Sequence, residues 1–170
     1  VEEDVLASFS LVRGQSADAG VRLSSDIGMD AARLYADRRM FRQILLDLLS
    51  NAIKFSDEGG EVGVISNCAK DGDLTVSVHD TGTGIKATDL DVVLEPFGRS
   101  QSADIQDQGG TGLGLAITKS LVERHGGSLS IDSAFGSGTT VNASFPAERC
   151  VPYPAGAKRP APTSPAQAPP

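Results

Sequence analysis

The strongest pattern in the chain is helical. At about 100° per residue, Phe41, Ile44, Leu45, Leu48, Leu49, Ala52 and Ile53 fall into one broad arc, which predicts a long amphipathic helix over residues 42–56 with that arc as its core face. Asp37 is placed to cap its start, and Glu58-Gly59-Gly60 is turn chemistry that stops it near Asp57. Opposite the arc, Asp47, Asn51 and Lys54 are spaced four and three apart, so a carboxylate, an amide and an ammonium share a stripe roughly 60° wide. Taken alone, that stripe reads equally well as a solvated, charge-balanced face.

Upstream, Val5, Leu6, Phe9 and Val12 have helical spacing, and Gly14 and Gly20 are expected to break it. Val21, Leu23 and Ile27 predict a short strand, and residues 32–36 a second with Leu34 facing in. Downstream the period changes to two. Val62, Val64 and Ile65 begin a strand, Asp71-Gly72 makes a hairpin turn, and Leu74, Val76 and Val78 alternate with Thr75, Ser77 and His79. The expected result is an antiparallel pair with one packed and one wet face.

That strand runs into Asp80-Thr81-Gly82-Thr83-Gly84-Ile85. Glycines two apart, after an acid that closes a strand, let a ligand approach the backbone, and a carboxylate at such a mouth can accept a hydrogen bond from an exocyclic amine such as adenine's. An ordinary Asp/Gly turn is the plain alternative. A short helical piece is expected over residues 88–93. Then come Glu95-Pro96-Phe97-Gly98-Arg99 and a polar run, residues 100–108, with only Ile105 to bury, which predicts a mobile loop.

The loop ends in Gly109-Gly110-Thr111-Gly112-Leu113-Gly114 and feeds a helix over residues 115–124, with Leu113, Ile117, Leu121 and Val122 expected on one side. Glycines entering a helix leave unpaired N–H groups where the dipole favours an anion, so phosphate fits and packing alone is the alternative. The residues before these glycines are too polar for the strand a dinucleotide fingerprint requires. A P-loop fails too, because Thr118 stands where its second glycine belongs. His125-Gly126-Gly127 ends the helix with Gly126 as a left-handed cap, and His125 reads as a helix-end residue. Leu129 and Ile131, then Val141, Ala143 and Phe145, predict two closing strands around a turn at residues 135–138.

Composition narrows the reading. A chain of 170 residues, 39% hydrophobic, allows one domain with a proper core, assigned to residues 1–147. Residues 148–170 are proline-rich with little to bury and are expected to form a disordered tail. A net charge of −7 without any basic run argues against nucleic acid. Cys68 and Cys150, far apart in sequence, suggest neither a zinc site nor a disulfide framework, and no segment has the apolar length to cross a bilayer. The expectation is a cytoplasmic piece whose parent protein could be membrane-anchored.

Together the motifs resemble the catalytic ATP-binding domain of sensor histidine kinases, in the Bergerat-fold ATPase superfamily shared with DNA gyrase, Hsp90 and MutL. Residues 47–55 are similar to the N box, 80–84 to the G1 box, 95–98 to the F box and 110–115 to the G2 box, in the family's order. The fold this implies is α+β: a two-layer α/β sandwich with a mixed, mostly antiparallel sheet packed against three helices.

The resemblance also implies roles. Asn51 would ligate Mg2+, and Lys54 would contact the phosphates. Asp80 would read the adenine amine, with Gly82, Gly84 and Ile85 around the base. Gly110, Thr111, Gly112, Leu113, Gly114 and Leu115 would hold the triphosphate of ATP. Phe97 would border the site, residues 99–108 would form a lid, and Arg99 would be a candidate for contact with the outer phosphates. Asp47 departs from the Asn common in the histidine kinases toward the acid of hydrolytic relatives, and could act as general base, steer the acceptor or support the magnesium ion. The reaction implied is transfer of the γ-phosphoryl to a histidine on a dimerisation hairpin absent from this chain. The partners implied are that hairpin, in a parent homodimer, and a downstream response regulator. An ATPase or serine kinase of the same fold, and a degenerate nucleotide-binding regulator, are the alternatives.

Overall fold

The computed structural model describes residues 1–28, 33–98 and 112–151. In chain order the elements are α1 (Glu2–Asp18), β1 (Arg22–Ile27), β2 (Arg33–Leu34), α2 (Arg38–Lys54), β3 (Glu61–Cys68) and β4 (Leu74–Asp80). A 3-10 turn (Ala87–Asp89) leads into the short α3 (Leu90–Val93), followed by α4 (Gly114–Arg124), β5 (Ser128–Ser133), β6 (Thr139–Phe145) and β7 (Cys150–Val151). The main sheet has the order β1-β3-β4-β6-β5. Only β1 and β3 are parallel; the other neighbours are antiparallel. This is the expected α+β architecture, with α1, α2 and α4 as its long helices.

The apolar arc of α2 became the core. Phe41, Ile44, Leu45, Leu48, Leu49, Ala52 and Ile53 are all buried, together with Val62 and Val64 of β3, Val76 and Val78 of β4, and Phe145 of β6. Phe145 meets Phe41 edge-on at 5.9 Å between ring centroids. The α2 start is fixed by Asp37, whose carboxylate accepts from the N–H groups of Arg39 (2.8 Å) and Met40 (3.1 Å). The other face of the sheet is polar: Ser77 donates to the Asn142 amide oxygen at 2.6 Å, and Asn142 donates in turn to Asp132 at 2.8 Å.

Two elements differ from the pattern-based expectation. Helix α1 runs through Gly14 to Asp18. Val12 and Ser16 are buried, and the Ser16 hydroxyl donates to the Val21 carbonyl at 2.6 Å, so packing outweighs the roughly 1 kcal/mol propensity cost of a mid-helix glycine. On α4, Ile117 is 46% exposed while Thr118 is fully buried. The inward face is Leu115, Thr118, Leu121, Val122 and His125: the expected Leu121 and Val122 face in, while Thr118 takes the place expected of Ile117.

His125 closes α4 as a helix-end residue. Its Nδ1 meets the Leu121 carbonyl at 2.7 Å, and its Nε2 accepts from the Asp37 N–H at 3.2 Å, joining the end of α4 to the start of α2. The folded chain continues past 147, because β7 pairs with β2. The expected lid and most of the expected tail, residues 99–111 and 152–170, lie outside the described residues.

Candidate functional site

The end of β4 carries the first half of the site. Register places Asp80 beside Thr139 of β6, and Thr139 beside Ser133 of β5. Asp80 Oδ1 accepts from the Gly82 N–H (2.9 Å) and the Thr139 N–H (3.2 Å). Burial nevertheless pushes its carboxyl above the usual range, with those two bonds opposing the rise. Asp80 lines an open cleft of about 490 Å³ together with Leu90, Ile131, Ser133, Thr139 and Thr140.

The glycine segment after Asp80 lies against the end of α2. A Cβ on Gly82 would overlap the Phe55 carbonyl, so no side chain fits there. The Thr83 N–H donates to that same carbonyl at 3.1 Å. Further along, the Ile85 N–H donates to Ser133 Oγ at 2.8 Å. Gly84, between them, has φ +65°.

Helices α2 and α4 bring the second half together. The start of α4 is set close to Asn51: a Cβ on Gly114 would stand 3.4 Å from Asn51 Nδ2 and 4.0 Å from its Oδ1. Leu113 precedes α4 without a side-chain capping bond, and Leu115 packs on the core. One turn earlier on α2, Asp47 accepts from Gln43 Nε2 at 2.6 Å. Burial raises the Asp47 carboxyl, opposed by Gln43 and by the neighbouring Thr118 hydroxyl. That hydroxyl is itself fully buried and lies outside hydrogen-bond geometry to any partner among the described residues.

Lys54 stands elsewhere. Its Nζ sits 4.9 Å from the centre of the Phe55 ring, and it lines a separate open cleft of about 700 Å³ with Gly14, Gln15 and Asp18 of α1. Phe97 is 73% exposed and holds a left-handed backbone, φ +64°, uncommon for a bulky residue. Its N–H donates to the Gly112 carbonyl at 2.9 Å, which ties the two ends of segment 99–111 together. Arg99, Gly110 and Thr111 lie outside the described residues.

The structure thus gathers Asp80, Gly82, Gly84 and Ile85 at one end of the sheet, and Asp47, Asn51 and Gly114 at the α2–α4 contact. Sequence reading missed Ser133, Thr139 and Leu90. The only signal that could have found the first two was strand register at the Asp80 end, since neither lies in a glycine motif.

Residues 36–149 match the model of the family described as histidine kinase-, DNA gyrase B- and HSP90-like ATPase. Histidine protein kinase DivJ of Caulobacter vibrioides is 41% identical over 144 residues, covering 85% of this chain and 24% of that protein. Among solved structures, the mycobacterial sensor histidine kinase MprB superposes with a TM-score of 0.77 at 30% identity, over 89% of this chain and 96% of that one. Full-length ShkA in complex with AMPPNP superposes at 0.75 and 28% identity, over 85% of this chain and 29% of that one. The chain spans between 14% and 28% of the length of the curated relatives it matches. With its family model covering the α2 helix through to the 3-10 turn after β6, and its fold shared with MprB, the chain belongs to the histidine kinase-, DNA gyrase B- and HSP90-like ATPase family.

Proposed function

We propose that this chain is the ATP-binding catalytic domain of a sensor histidine kinase, and that it presents the γ-phosphoryl of ATP to a histidine on a helical hairpin elsewhere in the protein. The observation that carries the reading is Asp80, gripped by two backbone N–H groups at the mouth of a cleft. An ionised carboxylate only accepts hydrogen bonds, so this one favours a base that offers an amine. The relative ShkA was solved with AMPPNP, an adenine nucleotide analogue, which supports the same ligand class.

The phosphates would lie toward the opening of α4, where first-turn N–H groups and the helix dipole favour negative charge. Asn51 faces that opening, and the missing side chain at Gly114 leaves room beside its amide. Among the described residues no group of three acidic, His or Cys side chains could cage a metal. That fits magnesium, which takes one or two protein oxygens and completes its shell with phosphates and water. Asn51 Oδ1 would hold it, and a bound magnesium ion would neutralise phosphate charge. Lys54, on the α1 side of α2, would reach the phosphates only by leaving the Phe55 ring. In the transfer a phosphorus–nitrogen bond to the acceptor imidazole forms as the bond to the ADP oxygen breaks, and the protein contributes position and charge. A response regulator would take the phosphoryl group next, and an ATP requirement supports a cytoplasmic location.

A second reading has its own support. The raised Asp47 carboxyl beside Asn51 is suited to activate water, as in hydrolytic members of the fold. Two measurements decide. Calorimetry of Mg·ATP should show binding whose magnesium dependence disappears in Asn51→Ala; equal affinity of the two proteins with magnesium would remove Asn51 from the site. Labelled ATP, with the domain joined to an acceptor hairpin, should give acid-labile, base-stable phosphoprotein. Free phosphate from the isolated chain without phosphoprotein would favour hydrolysis.

A further inference from the structure

Ser133, outside every glycine motif, lines the Asp80 cleft. It ends β5, beside Thr139 at the start of β6, and Thr139 is beside Asp80 at the end of β4, so the three form a row across one end of the sheet. Ser133 Oγ accepts from the Ile85 N–H at 2.8 Å and lies 2.9 Å from both the Gly138 carbonyl and Thr139 Oγ1. One hydroxyl therefore fastens the end of the glycine segment to the β5–β6 turn. That turn rests directly on Asp80: a Cβ on Gly138 would overlap the Asp80 carbonyl, and the Thr139 N–H holds Oδ1 of the carboxylate.

We infer that Ser133 is a positioning residue for nucleotide-base recognition, holding Thr139 and the 80–85 segment so that the Asp80 carboxylate is aimed at an exocyclic amine. This rests on the proposed reading of Asp80. Without the hydroxyl, the Ile85 N–H loses its acceptor and the Gly138–Thr139 corner loses its side-chain tie to β5, leaving the backbone pairing alone to hold it. The donor that orients Asp80 Oδ1 is then held less firmly. The loss falls on the one contact that distinguishes bases, and contacts to the phosphates are untouched.

The test compares ATP with purine riboside triphosphate, which is ATP without the amine, by calorimetry on the full chain. The unsubstituted chain should prefer ATP; if it binds both equally, the reading of Asp80 fails before Ser133 is addressed. Ser133→Ala should weaken ATP about fivefold to tenfold, the worth of one oriented hydrogen bond, and leave the amine-free nucleotide unchanged. Ser133→Thr, which keeps the hydroxyl, should restore the preference. An equal loss for both nucleotides, or no loss for either, overturns the inference and leaves Ser133 a structural residue. Should Ser133→Ala fail to fold, Ser133→Cys, close in size and poor in hydrogen bonding, reads the same contrast.

Discussion

At the scale of single residues, two half-buried carboxyls, Asp80 and Asp47, carry the site's pH behaviour. Asp80 is pushed up by burial, so it protonates at a higher pH than an ordinary carboxylate. Only its ionised form is a pure acceptor for an amine. ATP affinity should therefore fall on acidification, beginning above the usual carboxylate range. Asp80→Asn should bind ATP about tenfold more weakly at neutral pH, the scale of a hydrogen bond to a charged group, with a flat profile. Calorimetry across pH checks both statements. Thr118 is the second case: its buried hydroxyl has no partner in hydrogen-bond geometry among the described residues, yet it opposes the rise of the Asp47 carboxyl. Thr118→Val should move any pH-rate limb carried by Asp47 upward, since it removes the hydroxyl that opposes the rise, and a pH-rate profile of the two proteins checks the shift. Asp80 and Asn51 were legible as chemistry because each sits in a recognisable local pattern. Ser133 and Thr139 were not, because their relation to Asp80 exists only through pairing between residues 59 positions apart.

Elements were legible in proportion to their periodicity. Helix α2 has seven buried apolar positions on one arc and an acidic cap, so its face and its start could be read directly. Helix α1 could not be read to its end, because what carries it past Gly14 is the contact of Val12 and Ser16 with the rest of the fold. One position of the α4 face was displaced because threonine, with a methyl group as well as a hydroxyl, can take a core position that polarity alone assigns to solvent. A charge network joins α1 to α2: Asp4 accepts from Arg38 at 2.7 Å and Arg42 at 2.8 Å. Burial works against the charged form of Asp4, but the two guanidiniums outweigh it and hold the carboxyl below its ordinary value. A depressed carboxyl contributes stability above its unfolded pKa and loses it as pH falls through the folded one. Asp4→Asn should therefore cost about 1 kcal/mol at neutral pH, limited by solvent around the arginines. The difference in Tm should vanish once the medium is acid enough to protonate Asp4 in the folded protein.

For the whole molecule, Phe145 links the layers. It lies on β6, 1% exposed, edge-on to Phe41 of α2 and to His125 at the end of α4. Phe145→Ala should cost about 3–5 kcal/mol in urea unfolding, the usual penalty for emptying an aromatic core position. The two-layer plan follows from the period-two strands, which pack one face on the helices and leave a ladder of serine, threonine and asparagine on the other. The resemblance implied a mixed sheet, but which strands form its parallel pair was not legible, because a crossover through α2 leaves no mark in the alternation. The hydrogen bond from Phe97 to Gly112 has a consequence of its own. A span whose two feet are already joined can lengthen or change its letters at little expense to the frame, since doubling such a loop adds only about 0.6 kcal/mol of closure entropy. Evolution is thereby given a stretch between Phe97 and Gly112 that it can rewrite while α2, α4 and the sheet stay as they are.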